Sequence, residues 1–463
     1  GLVGPVTNYS RPESDYEGGF VYEPYTGRAE NVMGLDLASL YPNSMAMGNV
    51  SPEMKVSDEE KKTLERADIP VATTPNGTHF RLDQDGIFKE LIDDAIGLKA
   101  EAKKKRNNAT PGTDEHDRLS EEYDAKKTVT NSIYGTLGWE PFFLYDEACA
   151  ESTTLLGQAS IKRTSKYIEE ETPFTVVYGD TDSNYIKPER EMTQEEVIEW
   201  GYKICEHLNE TVYPEHGTEY GIPEEMCRWE IEPEVLMDTF FQSGDKKFYA
   251  YKAIWEDGKW LDEPDYAYKG YSFKKSSSAK ITQEYGYKIM DTILDWGDES
   301  EIIDLVVEMN DEINGSDPQW DRIGIPQKLG KEIHTRCDCE ECYNWSKTRN
   351  TPADAHPRGA YFMNLLSGRA ELEKGSKPKR VYLKPTMTVG EGEQIEKVDV
   401  VAYESISDID NDIVDDMEVD NNEMVEKLIE NPFDKILGAV GVDIDAAIRG
   451  QTQTGFDAFM GPA

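Results

Sequence analysis

Two aspartates stand at alternate positions in a short polar segment, 178–183 (YGDTDS), that interrupts a run of strand-forming residues. The pattern over 174–187 predicts a strand, a tight turn with glycine at its bend, and a second strand. Aspartates at positions i and i+2 of a strand point to the same face, where they repel each other unless a cation lies between them. Taken alone, such a segment is more typical of a polar hairpin turn than of a metal site.

A third aspartate, Asp36, lies near the end of an apolar stretch, 31–37, which predicts a buried strand. A carboxylate there is unfavourable unless a metal or hydrogen-bond donors satisfy it, and capping of a following helix is the alternative role. Pro42 is expected to stop the strand and to leave backbone N–H groups of the next turn free for phosphate. Three carboxylates that meet in this way suit two Mg²⁺ ions held about 3.5–4 Å apart.

Between these segments the sequence predicts a helical hairpin, with helices over 87–106 and 119–134 and a loop at 109–117. The first helix is indicated by apolar residues at helical spacing, namely Ile87, Leu91, Ala95 and Leu98. One stripe of the second helix carries a cation, an amide and a phenol at i, i+4 and i+7, namely Lys127, Asn131 and Tyr134. Such a stripe can touch a triphosphate, a sugar edge and a base in turn, and an ordinary solvated stripe is the alternative.

The rest of the chain gives coarser expectations. Residues 51–85 are polar and turn-rich, 245–275 alternate like β-structure, and 281–313 are helical. The acidic run 404–423 predicts a solvated loop or helix face.

The chain is strongly acidic, with 92 Asp and Glu against 49 Lys and Arg and a net charge of −43 in 463 residues. Such a charge repels phosphate and by itself argues against a nucleic-acid partner. A halophile's surface, on which carboxylates maintain solubility in molar salt, is the other interpretation. The 25 Tyr and 8 Trp favour a folded chain, and the length favours several subdomains. Composition does not decide between these interpretations, whereas the motifs do.

Taken in order, the segments 36–42 (DLASLYP), 127–135 (KTVTNSIYG) and 178–183 resemble the A, B and C motifs of family B DNA polymerases. The upstream run 16–24 (YEGGFVYEP) resembles the stretch that leads into the first motif in archaeal members. The resemblance implies an α+β right-hand polymerase with an antiparallel-sheet palm, helical-hairpin fingers and a largely helical thumb. The implied boundaries are 1–85 and 139–285 for the palm, 86–138 for the fingers, and 286–463 for the thumb with its C-terminal tail.

The resemblance also assigns the metal site. It implies that Asp36 and Asp182 are the principal ligands of two Mg²⁺ ions, for which Mn²⁺ can substitute. Asp180 matches the accessory carboxylate, and the carbonyl of Leu37 matches a backbone ligand.

The nucleotide contacts follow in the same way. Tyr41 matches the steric gate that lies under the sugar and rejects a 2′-OH, and the N–H groups of Ser39 and Leu40 would face the β- and γ-phosphates. The implied contacts from the fingers are Lys99, Lys103, Lys127, Asn131 and Tyr134. Lys99 stands where the family often has Arg, and Glu122-Tyr123 replaces an Arg-Gln pair usual in archaeal members, so details of the fingers differ.

Two downstream segments resemble elements that grip the primer-template. The segment 246–249 (KKFY) is similar to the palm KKRY motif with Phe248 in place of Arg, and 269–275 is similar to a KG element followed by paired Arg, one residue shorter here. The implied DNA-binding residues are Lys246, Lys247, Tyr249, Lys269, Gly270, Lys274 and Lys275. Such basic islands on an acidic chain are what a halophile polymerase would need.

Two further groups are open to different interpretations. The sliding-clamp-binding peptide of archaeal replicative polymerases resembles the segment that contains Gln453, Phe456 and Phe459. Met460 stands where that peptide has its second aromatic residue. Packing of the tail on its own domain is the alternative. A cluster that could hold a structural zinc, with free thiols in an insertion as the alternative, comprises His334, Cys337, Cys339 and Cys342. Cys149, Cys205 and Cys227 are expected to be ordinary thiols.

The resemblance implies template-directed transfer of deoxynucleotides from dNTPs to a primer 3′-OH, in replication or repair. The chain shows no exonuclease motif, so it is not expected to proofread, and a separate N-terminal or exonuclease portion is a candidate partner. Low cysteine content and the lack of a signal peptide or membrane span favour a cytoplasmic protein. The rival interpretations are a catalytically inert structural subunit, a protein-primed polymerase, and an acidic metal-binding protein that is not a polymerase.

Overall fold

The computed structural model describes residues 25–110, 112–315, 319–333, 354–367, 372–389 and 396–451. Within them the chain divides into two compact units, the first holding 25, 29–238 and 253–265 and the second 26–28, 239–252 and 266–451. Each unit has its own hydrophobic core. The segment 16–24, the histidine–cysteine cluster and the candidate clamp-binding peptide lie outside the described residues.

Strands and helices alternate in both units, which confirms the α+β class. The strands are β1 (Thr26–Leu37), β2 (Lys55–Val56), β3 (Val71–Thr73), β4 (His79–Arg81), β5 (Phe174–Asp180), β6 (Ser183–Pro188), β7 (Ile231–Ser243), β8 (Tyr249–Glu256), β9 (Lys259–Lys269), β10 (Ile325–Pro326), β11 (Lys379–Tyr382), β12 (Thr388–Val389), β13 (Glu396–Lys397) and β14 (Val400–Tyr403). The helices are α1 (Leu40–Met47), α2 (Asp58–Arg66), α3 (Ile87–Asn108), α4 (Asp114–Leu137), α5 (Glu147–Glu171), α6 (Gln194–His207), α7 (Tyr213–Thr218), α8 (Lys280–Leu294), α9 (Glu299–Asn314), α10 (Trp320–Ile323), α11 (Ala355–Leu366), α12 (Asn411–Asp415), α13 (Asn421–Val425), α14 (Asn431–Ala439) and α15 (Ile444–Ile448).

The main sheet has six strands in the order β5-β6-β1-β7-β8-β9. Its pairs β5–β6 and β1–β6 are antiparallel. A small sheet of order β2-β4-β3 belongs to the first unit, and sheets of order β10-β11-β14 and β12-β13 belong to the second. The predicted hairpin at 174–187 and the strand at 31–37 are confirmed, while the assignment of segments to palm, fingers and thumb stays a prediction.

The segment 32–35 of the interior strand β1 is apolar because both of its faces are covered. Val32, Met33 and Leu35 have no exposed surface. A strand buried on both sides loses the alternation of polar and apolar residues that a half-buried strand shows. Asp36 therefore follows directly on a buried segment.

The two predicted fingers helices are present as α3 and α4, and they pack against each other. The residues that indicated α3 do not form its buried face, since Ile87, Leu91 and Leu98 are 44%, 49% and 53% exposed. The buried face lies one position along, at Phe88 and Ile92, and continues at Ala102 nearly three turns later. Two adjacent apolar stripes have the same helical period, so spacing predicts the helix but not which stripe is covered.

The segment 51–85 contains more regular structure than its polar composition indicates. Helix α2 begins with a reciprocal capping box, in which the Ser57 hydroxyl accepts from the Glu60 N–H and the Glu60 carboxylate accepts from the Ser57 N–H. Strands β2, β3 and β4 surround it in sequence.

In the second unit the predicted helix over 281–313 is two helices, α8 and α9. Trp296 takes a left-handed conformation with φ of 60° and ends the first helix. Asp298 caps the second through a capping box with Glu301. The acidic run 404–423 forms short helices whose carboxylates are mostly exposed, with Met417 and Val419 buried between them, so the predicted solvated face is confirmed in large part.

No helix in the described ranges is long and apolar enough to cross a membrane. Of the cysteines in these ranges, Cys149 and Cys205 are buried free thiols and Cys227 is a half-buried one, as expected.

The second unit is expected to lose stability in mild acid through His356, which is 1% exposed at the start of α11. Its Nε2 donates to the carbonyl of Gln327 at 2.6 Å, while its Nδ1 is buried without a partner among the described residues. Burial lowers the pKa of His356 to about 4. Because the unfolded chain takes up this proton near the ordinary histidine pKa and the folded chain does not, unfolding becomes easier as pH falls from about 6.5 to 4, by about 3 kcal/mol.

Chemical unfolding at pH 7, 6, 5 and 4 tests this expectation. The free energy of unfolding should fall more steeply in the wild type than in His356→Gln. His116→Gln on α4 is the matched control and should follow the wild type. Parallel curves for all three proteins would contradict the role of His356.

Candidate active site

The end of β1 and the turn between β5 and β6 meet through main-chain and side-chain contacts. Asp36 is paired with Ser183 across the β1–β6 ladder, and the Ser183 hydroxyl donates to the Asp36 carboxylate at 2.7 Å. The next N–H, of Leu37, donates to the carbonyl of Asp182 at 2.8 Å. The sheet register thus brings two aspartates that are distant in sequence to one place, and Asp36 does not act as a helix cap.

These carboxylates lie in an unfavourable environment for negative charge. Burial raises the pKa of Asp36 to about 7, and the charge of Asp182 adds to the shift. Burial also raises the pKa of Asp182 to about 6, with contributions from Asp180 and Glu234. Both shifts favour the neutral, protonated form of each carboxyl group over its charged form. A cation between Asp36 and Asp182 would relieve both causes.

The β5–β6 turn differs from the expected one. Gly179 is not at the bend; it lies in β5 opposite Asn184, and the loop consists of Thr181 and Asp182. The N–H of Asp182 donates to the carbonyl of Asp180 at 2.6 Å around Thr181, whose φ is 58°. A β-branched residue at positive φ is a strained conformation that persists only where its surroundings enforce it.

A second left-handed residue, Ser39 with φ of 50°, ends the connection from β1 and precedes α1. Pro42 therefore does not stop the strand; it lies in the first turn of α1, where proline is tolerated. The first N–H groups of a helix have no acceptor within the helix and favour an anion. The Ser39 side chain does not cap these groups, and its hydroxyl instead accepts from Lys99 of α3.

Three of the predicted nucleotide-binding lysines are brought together by the α3–α4 pair. Burial lowers the pKa of Lys99, and the charges of Lys127 and Lys103 lower it further, which places the three ammonium groups near one another. The charge of Lys127 also acts on both Asp36 and Asp182. Lys99 and Lys127 of the hairpin therefore lie close enough to the carboxylates of the sheet to interact with them.

Tyr41 and Tyr134, predicted from separate motifs, are in contact. Their ring centroids lie 4.7 Å apart. Tyr41 also packs closely on Gly157 of α5, where an added Cβ would lie 2.8 Å from the Tyr41 Cε1. Gly157 was not predicted, and a glycine inside a helix gives no local signal for a close approach of this kind. Asn131 is exposed on α4, as expected for a contact residue.

Two further carboxylates border the site and were also not predicted. Glu232 and Glu234 stand at alternate positions at the start of β7, the neighbour of β1 in the sheet. Burial raises the pKa of Glu234 to about 7, and the negative charge of Asp36 contributes to this rise. The negative charge of Glu232 in turn helps to raise the pKa of Asp36. In the sequence, these two residues could have been recognised from the alternation of Glu with apolar residues at the start of this strand.

The predicted DNA-binding residues lie in the second unit, on two neighbouring turns. Gly270, with φ of 79°, packs so closely on the first turn that an added Cβ would lie 2.2 Å from the carbonyl oxygen of Lys247. Lys246, Lys247, Lys269, Lys274 and Lys275 are exposed. Tyr249 differs, because it is buried in β8 beside Phe240.

In the part of the chain that the structure describes, no three or more histidine, cysteine, aspartate or glutamate side chains are arranged to hold a metal ion on their own. The predicted meeting of three carboxylates around two Mg²⁺ ions is therefore not present as a complete ligand set among these residues, and the zinc candidate lies outside the described residues.

Comparison with known proteins places this arrangement in a family. The DNA polymerase of Archaeoglobus fulgidus is 38% identical over 193 residues, which are 42% of this chain and 23% of that protein. DNA polymerase 2 of Aeropyrum pernix is 28% identical over 297 residues, 64% of this chain and 32% of that protein. The DNA polymerase of Thermococcus gorgonarius is 26% identical over 328 residues, 70% of this chain and 38% of that protein. The chain thus matches well under half the length of these curated relatives.

The family model of DNA polymerase family B matches residues 2–317, a range that includes both aspartate segments and the α3–α4 pair. Since this range is more than half of the 463 residues, the chain belongs to DNA polymerase family B.

Proposed function

We propose that this chain catalyses template-directed addition of deoxynucleotides from dNTPs to the 3′-OH of a primer. The observation that carries the proposal is the meeting of Asp36 and Asp182 at one edge of the sheet, opposite Lys127 of the helical hairpin. Carboxylates on one side and ammonium groups on the other form a site for a metal-bound polyphosphate, because such a ligand presents both charges.

Asp36, Asp182 and the carbonyl of Leu37 would hold two Mg²⁺ ions, and Mn²⁺ would replace them. The residues fit this role, since Mg²⁺ keeps several waters and binds through one or two carboxylates plus substrate phosphates rather than in an all-protein cage. Two carboxylates that leave coordination positions open for phosphate oxygens and water are compatible with this chemistry. When bound, such ions activate the primer hydroxyl and neutralise the leaving pyrophosphate.

The remaining groups bind and orient the nucleotide. Lys99, Lys103 and Lys127 offset charge on the triphosphate, which grows during an in-line transfer. The N-terminal turn of α1, including Ser39 and Leu40, faces the phosphates, Tyr41 lies under the sugar, and Asn131 and Tyr134 complete the contact surface of α4. Asp180 supports the ligand set from the adjacent turn.

Primer-template DNA is the proposed partner, and the exposed lysines of the second unit support it. A cavity of about 390 Å³ there is lined by Lys274, Lys280 and Lys379, of which Lys379 is paired with Asp321 of the same cavity at 2.5 Å. An excess of cations at this place suits the phosphate backbone, which the acidic surface elsewhere on this unit repels. At molar salt counterion release contributes little, so hydrogen bonds and shape must supply more of the affinity. A sliding clamp and a separate exonuclease portion remain candidate partners, and the zinc site, halophilic adaptation, cytoplasmic location and role in replication or repair remain predictions.

Primer extension with this chain tests the proposal. A labelled primer on a longer template should be extended by dNTPs with Mg²⁺ or Mn²⁺, up to molar KCl, and not after addition of EDTA. Without dNTPs the primer should keep its length, because no exonuclease is expected. Binding of the primer-template without extension in any of these buffers would favour the inert structural subunit instead.

A further inference from the structure

A cavity of about 350 Å³ in the first unit is lined by cations and belongs to none of the groups described above. Lys162, Arg163 and Lys166 of α5 form one wall, and His216 of α7 and Tyr220 form another. No aspartate or glutamate lines it among the described residues, although such residues outnumber Lys and Arg by 92 to 49 in the chain. This reversal of the local charge balance marks the cavity out from the acidic surface.

Two of the three cations have only distant carboxylate partners, whereas Lys162 donates to the side chain of Gln158 at 3.3 Å. Arg163 lies 3.8 Å from Glu219, and Lys166 lies 3.9 Å from Glu170. These separations exceed hydrogen-bonding distance, and exposed ion pairs of this kind contribute little to stability. Like charges at i and i+4 of a helix, as for Lys162 and Lys166, are unfavourable. An anion in the cavity would relieve this repulsion.

His216 forms part of the cavity wall and is only 6% exposed. Its Nδ1 lies 3.2 Å from the Glu219 carboxylate, which is therefore shared between His216 and Arg163. The ring is held by Tyr220 and Trp229, with centroids 5.2 and 5.6 Å away. The ring is therefore a fixed part of the cavity wall.

We infer that this cavity binds the phosphate of a nucleotide, either free or at the end of a single nucleic-acid strand. An arginine offers a planar fork that pairs with two phosphate oxygens, and two lysines one turn apart supply further charge. The apolar wall, with Leu155 and the ring of Tyr220, suits a sugar or base next to that phosphate. Three cations in so small a space match a phosphate better than a single carboxylate of an acidic peptide.

The volume sets the scale of the ligand. Pockets for small organic ligands have volumes of about 300–1,000 Å³, so this cavity at about 350 Å³ accommodates one nucleotide and not a duplex. None of its lining residues is among those proposed for the active site, and the inference therefore goes beyond the polymerase reaction.

Binding is measured on the full chain in EDTA, so that metal-dependent binding of a triphosphate at the active site does not contribute. The probes are a fluorescent nucleoside 5′-monophosphate, single strands with and without a 5′-phosphate, inorganic phosphate, and a polyglutamate peptide. The test variant is K162Q/R163Q/K166Q. The matched control is K61Q/K62Q/R66Q, which removes two lysines and one arginine from exposed helix α2 of the same unit.

The monophosphate or the 5′-phosphorylated strand should bind the wild type and the α2 control equally, and the α5 variant at least tenfold more weakly. Binding of the strand alone identifies a strand end, and binding of both probes identifies a nucleotide; either supports the inference. Arg163→Lys, which keeps the charge but loses the fork, should weaken binding several-fold and guards against a folding defect in the triple variant.

Three outcomes would overturn the inference. Equal binding by the wild type and the α5 variant would show that the cations are not used. Binding of polyglutamate in preference to nucleotides would identify a protein-docking surface. Inorganic phosphate as strong as the monophosphate would show that the apolar wall plays no part. Because the measurement is of binding without metal, its failure leaves the primer-extension result unaffected.

Discussion

Primer extension is expected to fall about a thousandfold when Asp182 is replaced by Asn. The side chain keeps its shape but loses the charge that would hold a divalent cation between itself and Asp36. Metal-ion stabilisation of a transferring phosphoryl group is worth several kcal/mol, and about 1.4 kcal/mol corresponds to a tenfold change in rate. Asp36→Asn should produce a loss of the same order, and Asp180→Asn a smaller one.

The loss must be separated from unfolding. In EDTA, Asp182→Asn should melt no earlier than the wild type, because the substitution removes repulsion between two buried carboxylates. Mg²⁺ should raise the melting temperature of the wild type and leave that of the variant unchanged. Asp262→Asn, at an exposed position of β9, is the matched control and should extend primers normally. A variant at Asp182 that kept a tenth of the wild-type rate would rule out its role as a metal ligand.

The sequence predicts the elements of this site better than their contacts. Local periodicity is enough for β1, the β5–β6 hairpin and the α3–α4 pair, since each is long and strongly patterned. It does not determine which side of α3 is buried, because Ile87 and Phe88 begin stripes of equal period. It also misplaces the bend at Gly179: glycine is the usual residue for a left-handed turn position, yet here the strained position is held by Thr181.

The roles of individual residues came from the resemblance to the family, and the structure adds what local sequence does not contain. The contact of Lys99 with Ser39 and the sheet register of Asp36 with Ser183 depend on tertiary packing between segments that lie far apart in the chain. Glu234 has a weak signal, an acidic residue on a mostly buried strand. Gly157 has none, because only the fold brings an aromatic ring against it.

Gly157→Ala is expected to impair both the rate of nucleotide addition and the choice of sugar. The new Cβ would lie 2.8 Å from Cε1 and 3.1 Å from Cδ1 of Tyr41, so the ring has to move. The Tyr134 ring, with its centroid 4.7 Å from that of Tyr41, limits where Tyr41 can go. If Tyr41 lies under the sugar as proposed, a shift near 1 Å would lower kcat/KM for dNTPs by up to about a hundredfold. The discrimination against rNTPs should fall with it.

Single-nucleotide incorporation with matched dNTP and rNTP measures both quantities. Gly97→Ala on α3 is the control, since a Cβ there meets nothing within 4 Å, and it should leave kinetics unchanged. A double-variant cycle sharpens the test: with Tyr41→Ala already in place, Gly157→Ala should have little further effect, because the ring that it displaces is gone. Independent, additive losses in the double variant would instead mean that Gly157 acts through the packing of α5, and that its contact with Tyr41 does not determine sugar selection.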